Sequence, residues 1–248
     1  MQVMIEKLID LENKELYLIF IDYSKAFDKV DHGRLFDIML DMGIPRHLVE
    51  LVAGLYNNQE AAVRWNGQLT AWFPIEQGTR QGCNISPTEF NLYAERIMRT
   101  VEENYEGVVI GGRRITNLRY ADDTTLLAST QERIKKFFKD LVQESARYNM
   151  YINAQKSKIM VVSRQDNISV QVDHEGESLE QVHNFNFLGS YKSADGDCTK
   201  EIKRRIAMAR QKAVVLASIW KDRNTNTATE VKMMKSMVWA VFKYGVEG

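Results

Sequence analysis

The sequence predicts an α+β fold, an antiparallel sheet with helices on one face. Short apolar runs of β-character alternate with longer stretches at helical spacing, and no internal repeat or long linker interrupts them. Tight-turn dipeptides join neighbouring strand-like runs at Asn66-Gly67, Gly111-Gly112 and Asp122-Asp123, which is hairpin chemistry.

Each element follows in order. Met1 to about Asn13 has helical spacing through Val3, Met4, Leu8 and Leu11, and Leu16–Asp22 is a short β-run ending on a carboxylate. Gly33–Met42 and Pro45–Tyr56 read as helices, the second with proline in its first turn. Glu60–Phe73 reads as a hairpin. Ser86-Pro87-Thr88-Glu89 has the form of a capping box with proline at N1, so a helix should run to about Asn104 and bury Phe90, Tyr93, Ile97, Met98 and Val101. Val108–Ile110 pairs with Arg113–Ile115, and Thr116–Ala121 with Thr124–Ala128. Ser129–Met150 is a long amphipathic helix opened by Ser129 and Glu132. Strands are expected at Ile159–Val162, Ser169–Val172 and Phe185–Gly189. Helices at Thr199–Lys221 and Thr227–Tyr244 close the chain, the last opened by Thr227 and Glu230. The core sheet should lie near residues 16–22, 116–128 and 159–163.

Composition excludes several classes. With 248 residues, 44% of them hydrophobic, the chain can bury a core. Cys83 and Cys198 stand in no CxxC or Cys/His array, which argues against a zinc site or disulfide framework and for a reducing compartment. The longest apolar run, around Leu16–Ile21, is too short to cross a bilayer, and the amino-terminus does not resemble a signal peptide. The expected location is intracellular, cytoplasmic or nuclear, with no membrane partner. Net charge is zero but unevenly spread. Residues 1–197 carry 22 Lys/Arg against 29 Asp/Glu, and residues 198–248 carry 11 against 4. A basic end of this kind can meet a phosphate backbone. His32, His47, His174 and His183 do not cluster and receive no chemistry.

Asp22 at a strand end and Asp122-Asp123 at a hairpin tip are the candidate catalytic groups. Carboxylates beside apolar strands are costly to bury unless a cation or hydrogen bonds compensate them. Hard oxygen ligands suit Mg²⁺, which commonly uses one or two carboxylates plus substrate phosphates. A pair of such ions can activate an attacking hydroxyl and stabilise the oxygen leaving with diphosphate. Read alone, a strand-end Asp is as well a cap, and Asp-Asp at a tip a solvated turn.

The surrounding residues form an ordered set. Ile21-Asp22-Tyr23-Ser24-Lys25-Ala26-Phe27-Asp28-Lys29-Val30-Asp31-His32 resembles the first catalytic motif of the reverse transcriptases of non-LTR (LINE-type) retrotransposons. Gly78-Thr79-Arg80-Gln81-Gly82-Cys83-Asn84-Ile85-Ser86-Pro87 resembles their next motif, although Asn84 stands where many relatives carry proline or an aliphatic residue. Tyr120-Ala121-Asp122-Asp123 is similar to the YADD box, Asn153 with Lys156-Ser157 to the motif after it, and Phe187-Leu188-Gly189 to the primer-grip turn.

The resemblance implies a polymerase palm with residual fingers elements over residues 1–197 and a truncated, basic helical thumb over 198–248. It implies an RNA-directed DNA polymerase that joins deoxynucleoside triphosphates to a DNA primer on an RNA template. Two Mg²⁺ ions, with Mn²⁺ as a possible substitute, would be held by Asp22, Asp122, the supporting Asp123 and the backbone carbonyl of Tyr23. Phe27 would exclude a 2′-hydroxyl, Gln81 and Gly82 would lie by the nucleotide and template, and Lys156 by the leaving diphosphate. Leu188 and Gly189 would turn against the primer, and Lys200, Lys203, Arg204, Arg210 and Lys212 would meet phosphates.

Each role has a plainer alternative: a core phenylalanine, a surface lysine, an ordinary strand end, a solvated helix face. Family members carry fingers motifs upstream of the first Asp, and here only some 21 residues precede Asp22. The expectation is therefore a piece of a longer polyprotein, its fingers and endonuclease segments missing, poorly active by itself and with palm surface bare between Gly33 and Phe73. The competing expectations are an inactive retroelement relic that only binds nucleic acid, and an interaction module with no nucleic-acid role.

Overall fold

The strand Leu16–Ile21 is buried along its whole length, and for that reason it can only be a central strand. In the computed structural model, which describes residues 1–8, 15–165, 168–220 and 225–245, it belongs to a five-stranded sheet. The spatial order is Glu180–Gln181, Lys158–Val162, Leu16–Ile21, Asp123–Ala128, Asn117–Tyr120. Leu16–Ile21 runs antiparallel to Asp123–Ala128, from Tyr17 opposite Ala128 to Ile21 opposite Thr124. The sheet is not wholly antiparallel as expected, because the short edge strand Glu180–Gln181 runs parallel to Lys158–Val162.

The hairpin that carries the paired aspartates turns one residue earlier than the sequence suggested. Tyr120 pairs with Asp123, so Ala121 and Asp122 make the turn, Ala121 with a left-handed φ of 53°, and Asp123 is already in the strand.

Helix Ser86–Glu102 buries the expected stripe of Phe90, Tyr93, Ile97, Met98 and Val101. It packs against helix Gln131–Arg147, which buries Ile134, Phe137, Phe138 and Leu141. Tyr93 donates to the Tyr148 carbonyl at 2.8 Å. The expected caps are displaced. The Ser86 hydroxyl donates to the Arg80 carbonyl at 2.8 Å, and Glu89 accepts from the Tyr56 hydroxyl at 2.6 Å, so both box residues serve tertiary contacts. Thr130, not Ser129, caps the next helix by accepting from the Arg133 N–H, and Asn226, not Thr227, caps the last by accepting from Thr229. Helix His32–Asp41 starts on an Asp31 cap, and Pro45 directly precedes helix Arg46–Tyr56.

Two compact units interleave along the chain. One comprises Tyr17–Ile159 with Val170–Gln181; the other comprises Met1–Leu16, Met160–Ser169 and Val182–Gly248. Residues 169–172, where a strand was expected, form none. Val170 and Val172 are buried, but the Val170 N–H is used by the Gln181 side chain at 2.7 Å, so no ladder forms there. Apolar side chains of Leu48, Leu51, Val63, Trp65, Leu69, Trp72 and Phe73 are exposed on the first unit, in the region expected to be bare.

In the second unit, helix Gln2–Glu6 opens the chain; Leu11 and Asn13 lie outside the described residues. Helix Thr199–Val215 is shorter than expected and a separate turn, Ala217–Trp220, follows; Lys221 lies outside the described residues. The last helix is broken into Thr227–Met233, a π-helical turn Met234–Trp239, and Ala240–Lys243. Ala209, Leu216 and Val238 form its core, with Ala213, Trp220, Met233 and Val241 packed on them.

Candidate active site

Asp22 follows the buried strand directly, and its backbone is tied on both sides. Its N–H donates to the Ser157 hydroxyl at 3.1 Å, and its carbonyl accepts from the Asn153 N–H at 2.8 Å. The Ser24 N–H donates to the Tyr151 carbonyl at 2.8 Å, and Tyr23 bridges Ile152. The Tyr23 ring is buried beside Ser145, 3.1 Å between the hydroxyl oxygens, and burial pushes its phenol up to about 12. With its side chain in the core, Tyr23 has only its backbone to offer a ligand.

The register carries the geometry further. The ladder ends at the Ile21–Thr124 pair, so Asp22 leaves its strand beside Asp123, the residue that precedes Thr124 in the neighbouring strand. Asp122 is the neighbouring turn residue. The electrostatics agree, because the Asp123 carboxyl is raised above the usual carboxylate range by partial burial first, then by the charges of Asp122 and Asp22. Lys156 Nζ stands 3.9 Å from Asp22 Oδ2. Both partners are exposed, so this ion pair holds little free energy and is easily redirected to another anion.

Among the described residues, no three His, Cys, Asp or Glu side chains stand assembled as a metal cage. The chemistry of the carboxylates suits Mg²⁺ arriving with substrate phosphates, which needs only one or two protein carboxylates. The consequence for pH has a definite sign. A raised Asp123 keeps its proton longer in the folded than in the unfolded state, so stability falls as pH rises from the ordinary carboxylate value to the raised one. Following Asp123 by NMR, we expect its titration to move to lower pH when Mg²⁺ is added. An unchanged curve in excess Mg²⁺ would remove Asp123 from the metal-responsive group.

Phe27 lies in the turn Ala26–Lys29, half-buried and stacked on Phe90 with centroids 4.6 Å apart. The segment that carries Gln81 and Gly82 is fastened beside it. Thr79 N–H donates to the Phe27 carbonyl at 2.9 Å and Gly78 N–H to the Val30 carbonyl at 2.7 Å; His32 Nε2 lies 2.8 Å from the Gly78 carbonyl oxygen. Gly78 has a φ of +93°, and a Cβ there would lie 3.2 Å from the Asp28 backbone, so this position requires glycine. Gln81 and Gly82 are exposed, and Gly82 has a left-handed φ of +79°.

Ser157, Asn153, Gly78 and His32 are positioning residues for which the sequence suggested no such role. All four lie inside recognised motifs, which was the available signal.

In the second unit, Leu188 and Gly189 have left-handed φ of 49° and 72° and form the two-residue turn between strands Asn184–Phe187 and Ser190–Ser193. The latter strand is too polar to have been read from sequence. Lys200, Lys203, Arg210 and Lys212 are exposed on helix Thr199–Val215. Arg204 is engaged internally, with Glu201 at 2.7 Å and the Gly189 carbonyl at 2.6 Å.

The family model for reverse transcriptase (RNA-dependent DNA polymerase) matches residues 2–191, and the chain belongs to that family. It is, more narrowly, a reverse transcriptase domain of the non-LTR retrotransposon type. The Pol polyprotein of retrotransposable element R2 from Nasonia vitripennis is 32% identical over 119 residues, 48% of this chain and 12% of that protein. The corresponding polyprotein from Bradysia coprophila is 33% identical over 150 residues, 58% of this chain and 16% of that protein. The chain thus spans a small part of the length of these relatives. Among solved structures, telomerase from Candida tropicalis in complex with a fragment of telomeric RNA matches with a TM-score of 0.54 at 14% identity, over 99% of this chain and 41% of that one. Apo telomerase from the same organism, truncated from its C-terminal domain, also gives 0.54, at 15% identity over 78% and 37%. These likenesses show a fold of the reverse transcriptase kind. The family is one of nucleotidyltransferases and generally uses divalent metal ions. No helix among the described residues is long and apolar enough to cross a membrane.

Proposed function

We propose that this chain is the palm, with residual fingers elements and part of the thumb, of an RNA-directed DNA polymerase that adds deoxynucleotides to a primer 3′-hydroxyl. The observation that supports it best is the meeting of Asp22 with the Asp122-Asp123 hairpin, Lys156 standing beside it. Two divalent ions, when bound, would make the primer hydroxyl a better nucleophile and neutralise the departing diphosphate. Asp22, Asp122 and the Tyr23 carbonyl would hold them, with Asp123 in support. Lys156, weakly paired now, would turn to the diphosphate and hold or donate a proton there. Gln81 and Gly82 would face the nucleotide and template, and Phe27 the sugar. Catalysis of this kind is mostly positioning and charge stabilisation.

Primer extension on an RNA template, with and without Mg²⁺, tests the reading. Metal-dependent incorporation is expected, with products shorter than those of a longer polypeptide that includes the neighbouring segments of the polyprotein. Hybrid binding with no incorporation in either form would favour the relic that only binds nucleic acid.

The exposed bases of helix Thr199–Val215 make a separate expectation. Replacing Lys200, Lys203, Arg210 and Lys212 by Gln should flatten the dependence of hybrid affinity on salt by about 0.9 in log–log slope for each phosphate no longer neutralised. An unaltered slope in the folded variant would leave that helix face simply solvated.

A further inference from the structure

Both carbonyls of the Leu188-Gly189 turn are captured by later side chains of the same unit, from helix Thr199–Val215 and from Tyr244, which follows helix Ala240–Lys243. The Tyr244 hydroxyl donates to the Leu188 carbonyl at 2.7 Å. The Gly189 carbonyl accepts from Arg204 at 2.6 Å and from Arg205 as well. Arg205 is itself buried, held by Glu201 at 2.6 Å, with its guanidinium 4.4 Å from the centre of the Tyr244 ring. Burial alone would raise Glu201, but hydrogen bonds from Arg204, Arg205 and the Tyr191 backbone outweigh it and hold the carboxyl below its usual range. A surface hairpin turn does not need this apparatus. Two-residue turns with left-handed residues form from local geometry alone.

What the apparatus does control is the orientation of two peptide planes. Every peptide bond in the turn is trans, so a carbonyl and the N–H of the next residue point in opposite directions. Holding the Leu188 carbonyl on Tyr244 turns the Gly189 N–H to the opposite side, where a backbone donor can meet a phosphate oxygen. Arg205 anchors the adjoining plane in the same way, and its contact with the Tyr244 ring couples the two anchors.

We propose that Arg205, Glu201 and Tyr244 form a clamp that positions the Leu188-Gly189 turn to present the Gly189 N–H to the backbone of the primer end. The inference rests on the reading of the chain as a polymerase with its primer at this turn. Arg205 and Tyr244 are positioning residues and touch no substrate.

The test uses the 248-residue chain and two RNA–DNA hybrids of equal length, one with a recessed DNA 3′ end and one blunt. Dissociation constants are measured by fluorescence anisotropy across a salt series. Tyr244→Phe keeps the half-exposed ring and removes one hydrogen bond. Arg205→Lys keeps the charge and loses the buried one of the two forks that join Glu201 to Gly189, leaving Arg204 in place. We expect the preference for the recessed end to fall about 3- to 10-fold in Tyr244→Phe and about 10-fold or more in Arg205→Lys, the scale of a missing neutral and a missing charged hydrogen bond. The salt slope should stay at its wild-type value, because no basic phosphate contact is removed. Should Arg205→Lys fail to fold, Tyr244→Phe decides the matter alone. Equal weakening on both hybrids, or an undiminished preference in folded Tyr244→Phe, overturns the clamp. A wild-type chain indifferent to the recessed end overturns the underlying primer reading as well, and that outcome is recognisable because it appears before any substitution is made.

Discussion

Asp22→Asn and Asp122→Asn should each lower nucleotide incorporation by at least about 100- to 1,000-fold, the scale on which single preorganised electrostatic groups act in transition states. Each substitution keeps the size of the side chain and removes the charge that a divalent ion needs. Stability should not suffer. Partial burial is the first cause of the raised Asp123 and the charges of Asp122 and Asp22 add to it, so neutralising either neighbour removes part of the rise. The expected signature is therefore abolished incorporation, an unchanged or slightly higher melting temperature, and an Asp123 titration nearer the ordinary carboxylate range. Asp123→Asn should cost less, as a supporting group, while relieving the same repulsion. Full incorporation by either of the first two variants would remove the carboxylate cluster from the chemistry.

The repulsion also explains why this site could be seen in the sequence only as a pattern. An apolar run such as Leu16–Ile21 announces a buried strand, and a carboxylate at its end announces a cost that something must offset. Neither says which other strand lies alongside. That Asp22 comes beside Asp123 follows from the pairing of Leu16–Ile21 with Asp123–Ala128, a tertiary fact. The same limit displaced the turn by one residue. Asp-Asp is good turn chemistry, yet the strand took Asp123 and left Ala121 in a left-handed conformation.

Caps failed for a related reason. Ser86 and Glu89 have the spacing of a capping box, but Arg80 and Tyr56, brought in from other segments, use the same groups. The paired strand Ser190–Ser193 carries almost no apolar signal, and the clamp behind its turn joins residues 188 and 244, too far apart for any local pattern to reveal. Helices with a strong periodic stripe, such as Ser86–Glu102 with Phe90, Tyr93 and Ile97, were legible because one face had to be buried whatever the neighbours were.

Phe27→Ala should make discrimination against ribonucleotides collapse by about 10- to 100-fold, in the range that a few missing apolar atoms confer on a specificity pocket. The structure separates the two things this residue does. Its carbonyl accepts the Thr79 N–H at 2.9 Å, a hydrogen bond that any side chain at position 27 preserves, so the loop bearing Gln81 and Gly82 stays attached. Its ring stacks on Phe90 at 4.6 Å, and truncation takes away that stacking and the bulk that would face a sugar. The missing stack should lower the melting temperature, though by less than the roughly 3–5 kcal/mol typical of a fully buried Phe→Ala would imply, since the Phe27 ring is half-exposed. Selectivity is read from the ratio of kcat/KM for a ribonucleotide and its deoxy counterpart, measured in a polypeptide long enough to be active. The deoxynucleotide value should change little, because nothing that holds metal or phosphate has moved. A lower melting temperature with the ratio intact would make Phe27 a core residue that packs on Phe90 and nothing more. A raised ratio, with Thr79 still protected from hydrogen exchange by its bond to residue 27, would show that the ring itself excludes the 2′-hydroxyl.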